Sequence, residues 1–252
     1  MKKVLKIVAS FIGHTLYLTG SVLFTILFLP VVILCKYAGN YKIPSLLLYF
    51  SLSFFVRKVL AGLCVIEMKD VKGLDKISSL GPAVYVCNHR GKLDGPLILS
   101  FVKNLKPTMK SKYAKRPVFR IFVKWFDFCE IDLRSNQKLI ETSRKCSRIL
   151  EKQSLLFFPE GTRKTSDKLS DFRKMAFKTS ADNNVPVVPV LLYNNTPFMT
   201  KKLSSFFPLD RVQYKIHFLE PVYPSGKSVS DLTNTVYDLM NAEMLEMSIE
   251  KT

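Results

Sequence analysis

Asn88-His89-Arg90-Gly91-Lys92-Leu93-Asp94-Gly95 places an imidazole five positions ahead of a carboxylate, directly after the apolar run Ala83–Cys87. Those residue types suit a general base and the acid that orients it and stabilises its protonated form. On a regular helix five positions amount to roughly 140° around the axis, so the two side chains would not share a face. Gly91 and the pair Gly95-Pro96 argue against a regular helix through the motif. A strand ending at Cys87 and a turn through Asn88–Gly91 would instead fold Asp94 back onto the ring. No serine or cysteine nucleophile elbow accompanies the pair, so such a base would activate a substrate hydroxyl directly. A His-x4-Asp spacing also arises by chance, in a histidine that merely ends a strand. The second candidate is Phe157-Phe158-Pro159-Glu160-Gly161-Thr162-Arg163-Lys164. Gly161 permits close backbone approach to a ligand, and Arg163 offers a planar fork for phosphate oxygens. Glu160 would hold that arginine or bond a substrate hydroxyl; the plain alternative is a tight surface turn with a salt bridge.

Positioning these residues takes a framework of strands and helices. Residues 83–87 and 154–158 are short apolar runs that read as buried strands. Residues 185–193 read as extended, and 211–219 alternate as a strand does. Helical patterns cover 136–152, 168–182 and 228–249, the last opening at Ser228 or Ser230. Alternation of strand and helix argues for an α/β domain with a largely parallel sheet and flanking helices. Between the two motifs, Lys112, Arg116, Arg120 and Lys124 fall on one stripe of a helix, with Val118, Phe119, Phe122, Trp125 and Phe126 elsewhere. Such a helix suits a membrane interface, although a core helix with a solvated basic face has the same pattern.

The N-terminal third has a different character. Ile7 to Cys35 contains no Asp, Glu, Lys or Arg, which exceeds the roughly 20 residues needed to cross a bilayer. Ile43 to Val56 is a second charge-free run, too short for a straight span by the same rule. Neither a small-x-small cleavage site nor a lipoprotein site before Cys35 is present, so residues 1–62 read as a retained two-helix membrane anchor. Residues 63–252 read as the α/β domain. Lysines flank the apolar run on both sides, which leaves its orientation open. An in-plane or re-entrant pair, bent at Pro30 and around Gly39-Asn40, would keep both basic ends on one face. The 38 Lys and Arg against 20 Asp and Glu give a net charge of +18. With an apolar anchor, that excess points to anionic lipid rather than nucleic acid, for which no motif is found. Five cysteines without a C-x-x-C pair fit buried thiols in a reducing compartment. His14 lies in the apolar anchor and His217 in an alternating strand, neither with a nearby acid in a motif; no metal constellation occurs, and no phosphate-loop or dinucleotide fingerprint is found.

Asn88-His89-x4-Asp94, then Phe158-Pro159-Glu160-Gly161-Thr162-Arg163, then Val185-Pro186-Val187-Val188-Pro189-Val190, in this order and each beside an apolar strand, resembles the glycerolipid acyltransferase family. The resemblance covers roughly residues 65–222. It implies that His89 is the general base and Asp94 its partner. Glu160, Gly161, Thr162 and Arg163 would shape the acceptor's phosphate and glycerol site. Arg134, after Glu130-Ile131-Asp132-Leu133, is the matching candidate for the family's second motif, and Lys110 for a further phosphate contact. The sequence departs from the family at Lys112, where an acid is usual, and at Arg120 and Met175, where glycine is usual. Arg90 after the histidine occurs in some glycerol-3-phosphate and dihydroxyacetone-phosphate acyltransferases, so the acceptor stays open. The implied partners are membrane phospholipids, a lysophospholipid acceptor and acyl-coenzyme A or acyl carrier protein as donor, with no bound cofactor. The implied location is the cytoplasmic face of a bacterial inner membrane. A non-catalytic basic protein that holds anionic lipid is the rival from another class.

Overall fold

Strands that read as unbroken apolar runs belong in the middle of a sheet covered on both faces, and three of them occupy that place. In a computed structural model, which describes residues 2–249 apart from Thr165, Asp167, Lys201 and Leu209, the chain begins with α1 (Lys2–Tyr37). It turns at Gly39, which has a positive φ, and continues as α2 (Lys42–Phe54). A π-helical stretch, Phe55–Leu60, extends α2. There follow β1 (Ile66–Lys72), α3 (Leu74–Ser78), β2 (Val84–Cys87), α4 (Asp94–Leu99), β3 (Leu105–Lys110), α5 (Ser111–Ala114) and α6 (Pro117–Trp125). The remainder is β4 (Cys129–Ile131), α7 (Asn136–Leu150), β5 (Ser154–Phe157), α8 (Met175–Asn183), β6 (Val187–Asn194), β7 (Val212–Phe218) and α9 (Val229–Ile249).

The strands form one sheet in the order β1-β7-β6-β2-β5-β3-β4. β2, β3, β4, β5 and β6 run parallel; β7 is antiparallel to β6, and β1 is parallel to β7. Every residue of β2, β5 and β6 is buried. One face carries α7, α8 and α9, packed through Cys146, Leu150, Phe177, Leu232, Val236 and Met240. The other carries α4 and the N-terminal helices, and there Val32, Leu48, Leu52, Val56 and Leu60 share a core with Tyr85, Leu97 and Ile98. α7 opens at Ser135, whose hydroxyl accepts from Lys138 N. α9 opens at Ser228, where a reciprocal capping box with Asp231 satisfies the first donors.

Several expectations need correction. α1 runs unbroken over Pro30 to Tyr37, so the break between the two apolar helices falls at Gly39-Asn40 alone. The second apolar run is longer than its charge-free part, because α2 and its π-helical extension make a 19-residue helix over Lys42–Leu60. The basic stripe is not one helix: Arg116 is extended (φ −71°, ψ 142°), as the residue before Pro117 must tend to be, so only Arg120 and Lys124 share α6. The side chain of Val118 lies outside the described atoms. Residues 168–174 do not join α8; they cross the end of β5, with Arg173 N donating to Pro159 O at 3.0 Å. His217 is not isolated from acids. Its Nε2 lies 2.8 Å from Asp70 Oδ2 on β1, and its Nδ1 meets Glu243 on α9. Against burial, which raises it, the hydrogen bonds from His217 and Lys72 together hold the Asp70 carboxyl below its usual range.

Lys106 on β3 is only 1% exposed. Burial pushes its amine down to about 8, although Asp127 favours the charge; Lys36 opposes it. Between about pH 8 and the unfolded value near 10.5 the unfolded chain binds more protons, so stability should rise across that window. Lys106→Met should therefore stabilise the fold at neutral pH by on the order of 2–3 kcal/mol and flatten the rise. Denaturant titrations at pH 7 and pH 10 in a neutral detergent check both.

Candidate active site

Ligand sites of open α/β sheets lie beyond the C-terminal ends of the parallel strands, and both motifs sit there, on adjacent strands β2 and β5. The turn after β2 is tied sideways to β6: Asn88 Oδ1 accepts from Leu192 N at 2.8 Å, and Asn88 Nδ2 donates to Leu192 O at 2.9 Å. His89 is held by its own backbone on both sides. Its N–H donates to Glu160 Oε1 at 3.0 Å, and its carbonyl accepts from Lys164 N at 2.8 Å. The ring stacks on Phe158 with centroids 4.1 Å apart.

The imidazole Nδ1–H donates to Asp94 Oδ2 at 2.8 Å. The same oxygen accepts from Arg90 N at 2.6 Å and Gly91 N at 2.8 Å. α4 begins only at Asp94, so the five-residue spacing is a loop closed on its own carboxylate. Gly91 is required for that closure, because a Cβ there would stand 2.3 Å from the Phe198 carbonyl oxygen. Asp94 has 1% of its side chain exposed and His89 16%: the acid is sealed and the base reaches the surface. Asp94 Oδ1 is buried without a partner among the described residues. With Nδ1 engaged, Nε2 is the ring nitrogen left to take a proton. Burial, with the Asp94 and Glu160 charges, pushes the Cys87 thiol well up, which disqualifies it as a nucleophile.

Glu160 does not hold Arg163. It is buried, and its second oxygen accepts from Ser170 N at 3.1 Å, so it clamps the His89 turn to the loop after β5. Gly161 has φ +67°, and a Cβ there would meet Arg173 Nε at 2.8 Å. Lys110, at the end of β3, donates to Gly161 O at 2.5 Å. Partial burial, then the Arg173 and Lys112 charges, lower the Lys110 amine. Thr162 is exposed beside it. Arg163 lines a cleft of about 470 Å³ with Arg90, Lys164, Ser166, Thr200 and Lys202, and its Nε is buried without a partner among the described residues. Arg90 is already engaged, donating to Asn194 Oδ1 at 2.5 Å and Ser166 O at 3.1 Å. The remaining cations suit a phosphate. Arg134 is not brought to this cleft. It lies three residues past the end of the edge strand β4, a strand three places from β2 and so roughly 14 Å across the sheet. There it grips Asp132 at 2.8 and 2.5 Å and pushes that carboxyl down to about 2.

Sequence reasoning missed Arg173, Lys164, Thr200 and Lys202 as site residues. Lys164 is the last residue of the second motif and was within reach; Thr200 and Lys202 join it only because β6 pairs with β2. Among the described residues no group of His, Cys, Asp and Glu is placed to hold a metal.

Residues 69–193 match the family model described as Acyltransferase. The chain is 28% identical over 193 residues to a chloroplastic 1-acyl-sn-glycerol-3-phosphate acyltransferase of Brassica napus, covering 74% of this chain and 56% of that protein. It is 28% identical over 228 residues to the alpha 1-acyl-sn-glycerol-3-phosphate acyltransferase of Mus musculus, covering 86% of this chain and 73% of that one. The chain thus spans little more than half the length of the Brassica relative. The crystal structure of the 1-acyl-sn-glycerophosphate acyltransferase of Thermotoga maritima superposes with a TM-score of 0.77 at 23% identity, covering 98% of each chain, which shows a shared fold.

If Glu160 is a clamp rather than a substrate ligand, Glu160→Gln leaves a backbone N–H without its acceptor. The variant should lose roughly 1–3 kcal/mol of stability, read by denaturant unfolding. A substrate ligand would instead raise KM and leave stability unchanged.

Proposed function

Given that the chain belongs to the acyltransferase family, we propose that it transfers an acyl chain from a thioester to a hydroxyl of a lysophosphatidic-acid-like acceptor. The observation that carries this is the His89–Asp94 contact beside a cationic cleft. The acceptor hydroxyl attacks the thioester carbonyl carbon while His89 Nε2 takes its proton. Asp94 stabilises the imidazolium formed at that moment. The C–S bond of the tetrahedral intermediate then breaks, and the proton passes to the departing thiolate of coenzyme A or acyl carrier protein. No covalent acyl-enzyme intervenes. Arg163, with Lys164 and Lys202, holds the acceptor's phosphate so that its hydroxyl is presented to the base, and that positioning supplies much of the rate. Lys110 shapes the same loop through the Gly161 carbonyl.

The same reading places the chain on a membrane surface. α1 has 36 residues, about 54 Å at 1.5 Å per residue, well beyond the roughly 30 Å of a hydrocarbon core. Both of its ends bind one domain: Lys6 pairs with Asp210 at 2.8 Å and Lys36 with Asp127 at 2.5 Å. Between them Leu5, Phe11, Leu16, Leu23, Leu27 and Leu34 are exposed. A helix fastened at both ends to one side suits lying in the interface with its apolar face in the acyl layer. The free cysteines suit the cytosolic side, and we extend the proposal to the cytoplasmic face of a bacterial inner membrane.

Thiol release from oleoyl-coenzyme A in neutral detergent tests the reaction. Release should depend on added lysophosphatidic acid and fall about a thousandfold or more in His89→Ala, and at least a hundredfold in Asp94→Asn. Turnover with glycerol-3-phosphate instead would reassign the acceptor. Silence with every acceptor, while vesicle binding persists, would favour the non-catalytic lipid binder.

A further inference from the structure

A second groove, of about 590 Å³, lies between α6 and β4 and is lined by Lys115, Arg120, Ile121, Lys124, Trp125 and Glu130. It shares no residue with the cleft beside His89. Lys115, Arg120 and Lys124 are exposed, and none of the three forms an ion pair with a described residue. The Lys124 ammonium rests instead over the Trp125 ring, 4.6 Å from its centroid. Three cations against one acid leave an unmatched positive charge. Beside it, Phe119 and Ile121 stand exposed on α6. The groove also continues into the anchor: Lys36 of α1 donates to Lys124 O at 2.6 Å, and the last turns of α1 expose Val31, Leu34 and Tyr37.

We propose that this groove binds the phosphodiester headgroup of an anionic phospholipid in the membrane on which the chain lies. Arg120 supplies a fork for two phosphate oxygens, with Lys115 and Lys124 as flanking point charges. Trp125 sits at headgroup level, where indole is favoured, and Ile121 and Phe119 meet the acyl boundary. A zwitterionic headgroup would bring its own ammonium beside three cations and is disfavoured. The flanking apolar residues favour a lipid over an acidic protein. The inference rests on the membrane-surface reading and not on the reaction.

Trp125 is the single tryptophan of the chain, so intrinsic fluorescence reports on the groove. The full chain is titrated with vesicles of phosphatidylcholine alone or mixed with phosphatidylglycerol carrying brominated acyl chains. Quenching should saturate with the anionic vesicles. Each neutralised cation should weaken that binding about fivefold, so R120Q/K124Q should lose roughly twentyfold or more, with binding to phosphatidylcholine unchanged. R144Q/R148Q, which removes the same charge from α7 on the opposite face of the sheet, should lose less than about threefold. Turnover in neutral detergent should be equal in all three proteins; the quenching result stands even where no acyl transfer is found. Equal losses from both charge pairs would overturn the proposal, as would an unresponsive Trp125. So would a double variant impaired only with acyl carrier protein donors in detergent, which would make the groove a protein dock.

Discussion

A single carboxylate oxygen, Asp94 Oδ2, gathers the ring N–H of His89 and the backbone N–H groups of Arg90 and Gly91. Sealed from water, that oxygen has a high desolvation cost, which three donors offset. The arrangement fixes the tautomer of His89 and the path of the turn together. The surrounding structure serves it. Asn88 ties the turn to β6, Glu160 ties it to the loop after β5, and the Phe198 carbonyl presses so closely on Gly91 that no side chain fits there.

The segment that presses on Gly91 also meets the first helix. Phe198 packs on His14 of α1 with centroids 5.4 Å apart, Lys92 N donates to Met199 O at 3.0 Å, and the Lys92 ammonium lies over Phe206. The apolar helix and the His89 turn thus rest against the same neighbours, Phe198 and Phe206. These contacts bring an apolar helix face and a cationic cleft close together, which suits the acceptor proposed above. Rigid contact between them explains why the N-terminal helices share their core with the sheet rather than hanging free of it.

How much of this was legible in the sequence follows from which forces were local. β2, β5 and β6 were legible because strands buried on both faces carry unbroken apolar runs. The pair His89 and Asp94 was legible because its loop closes within itself. Residues 168–174 were misread as helix: their backbone donors go to Pro159 and Glu160, partners the local pattern cannot reveal. The basic stripe was misread against a local signal that was present, Pro117. The backbone clamp made by Glu160 was not legible because its two partners, His89 and Ser170, meet only when β2 and β5 pair. His217 looked isolated because Asp70 and Glu243 reach it from β1 and α9. Thr200 and Lys202 carry no motif and become part of a site only through the pairing of β6 with β2.

The central claim is that His89 acts as a base on the acceptor and never as part of a covalent acyl carrier. A single-turnover reaction with radiolabelled oleoyl-coenzyme A, quenched at intervals and followed by intact-protein mass and lipid extraction, tests it most directly. The account predicts that label passes from thioester to acceptor at matching rates, with the protein mass unchanged throughout and no transfer in His89→Ala. Protein carrying an acyl group that forms and decays at the rate of turnover would contradict it.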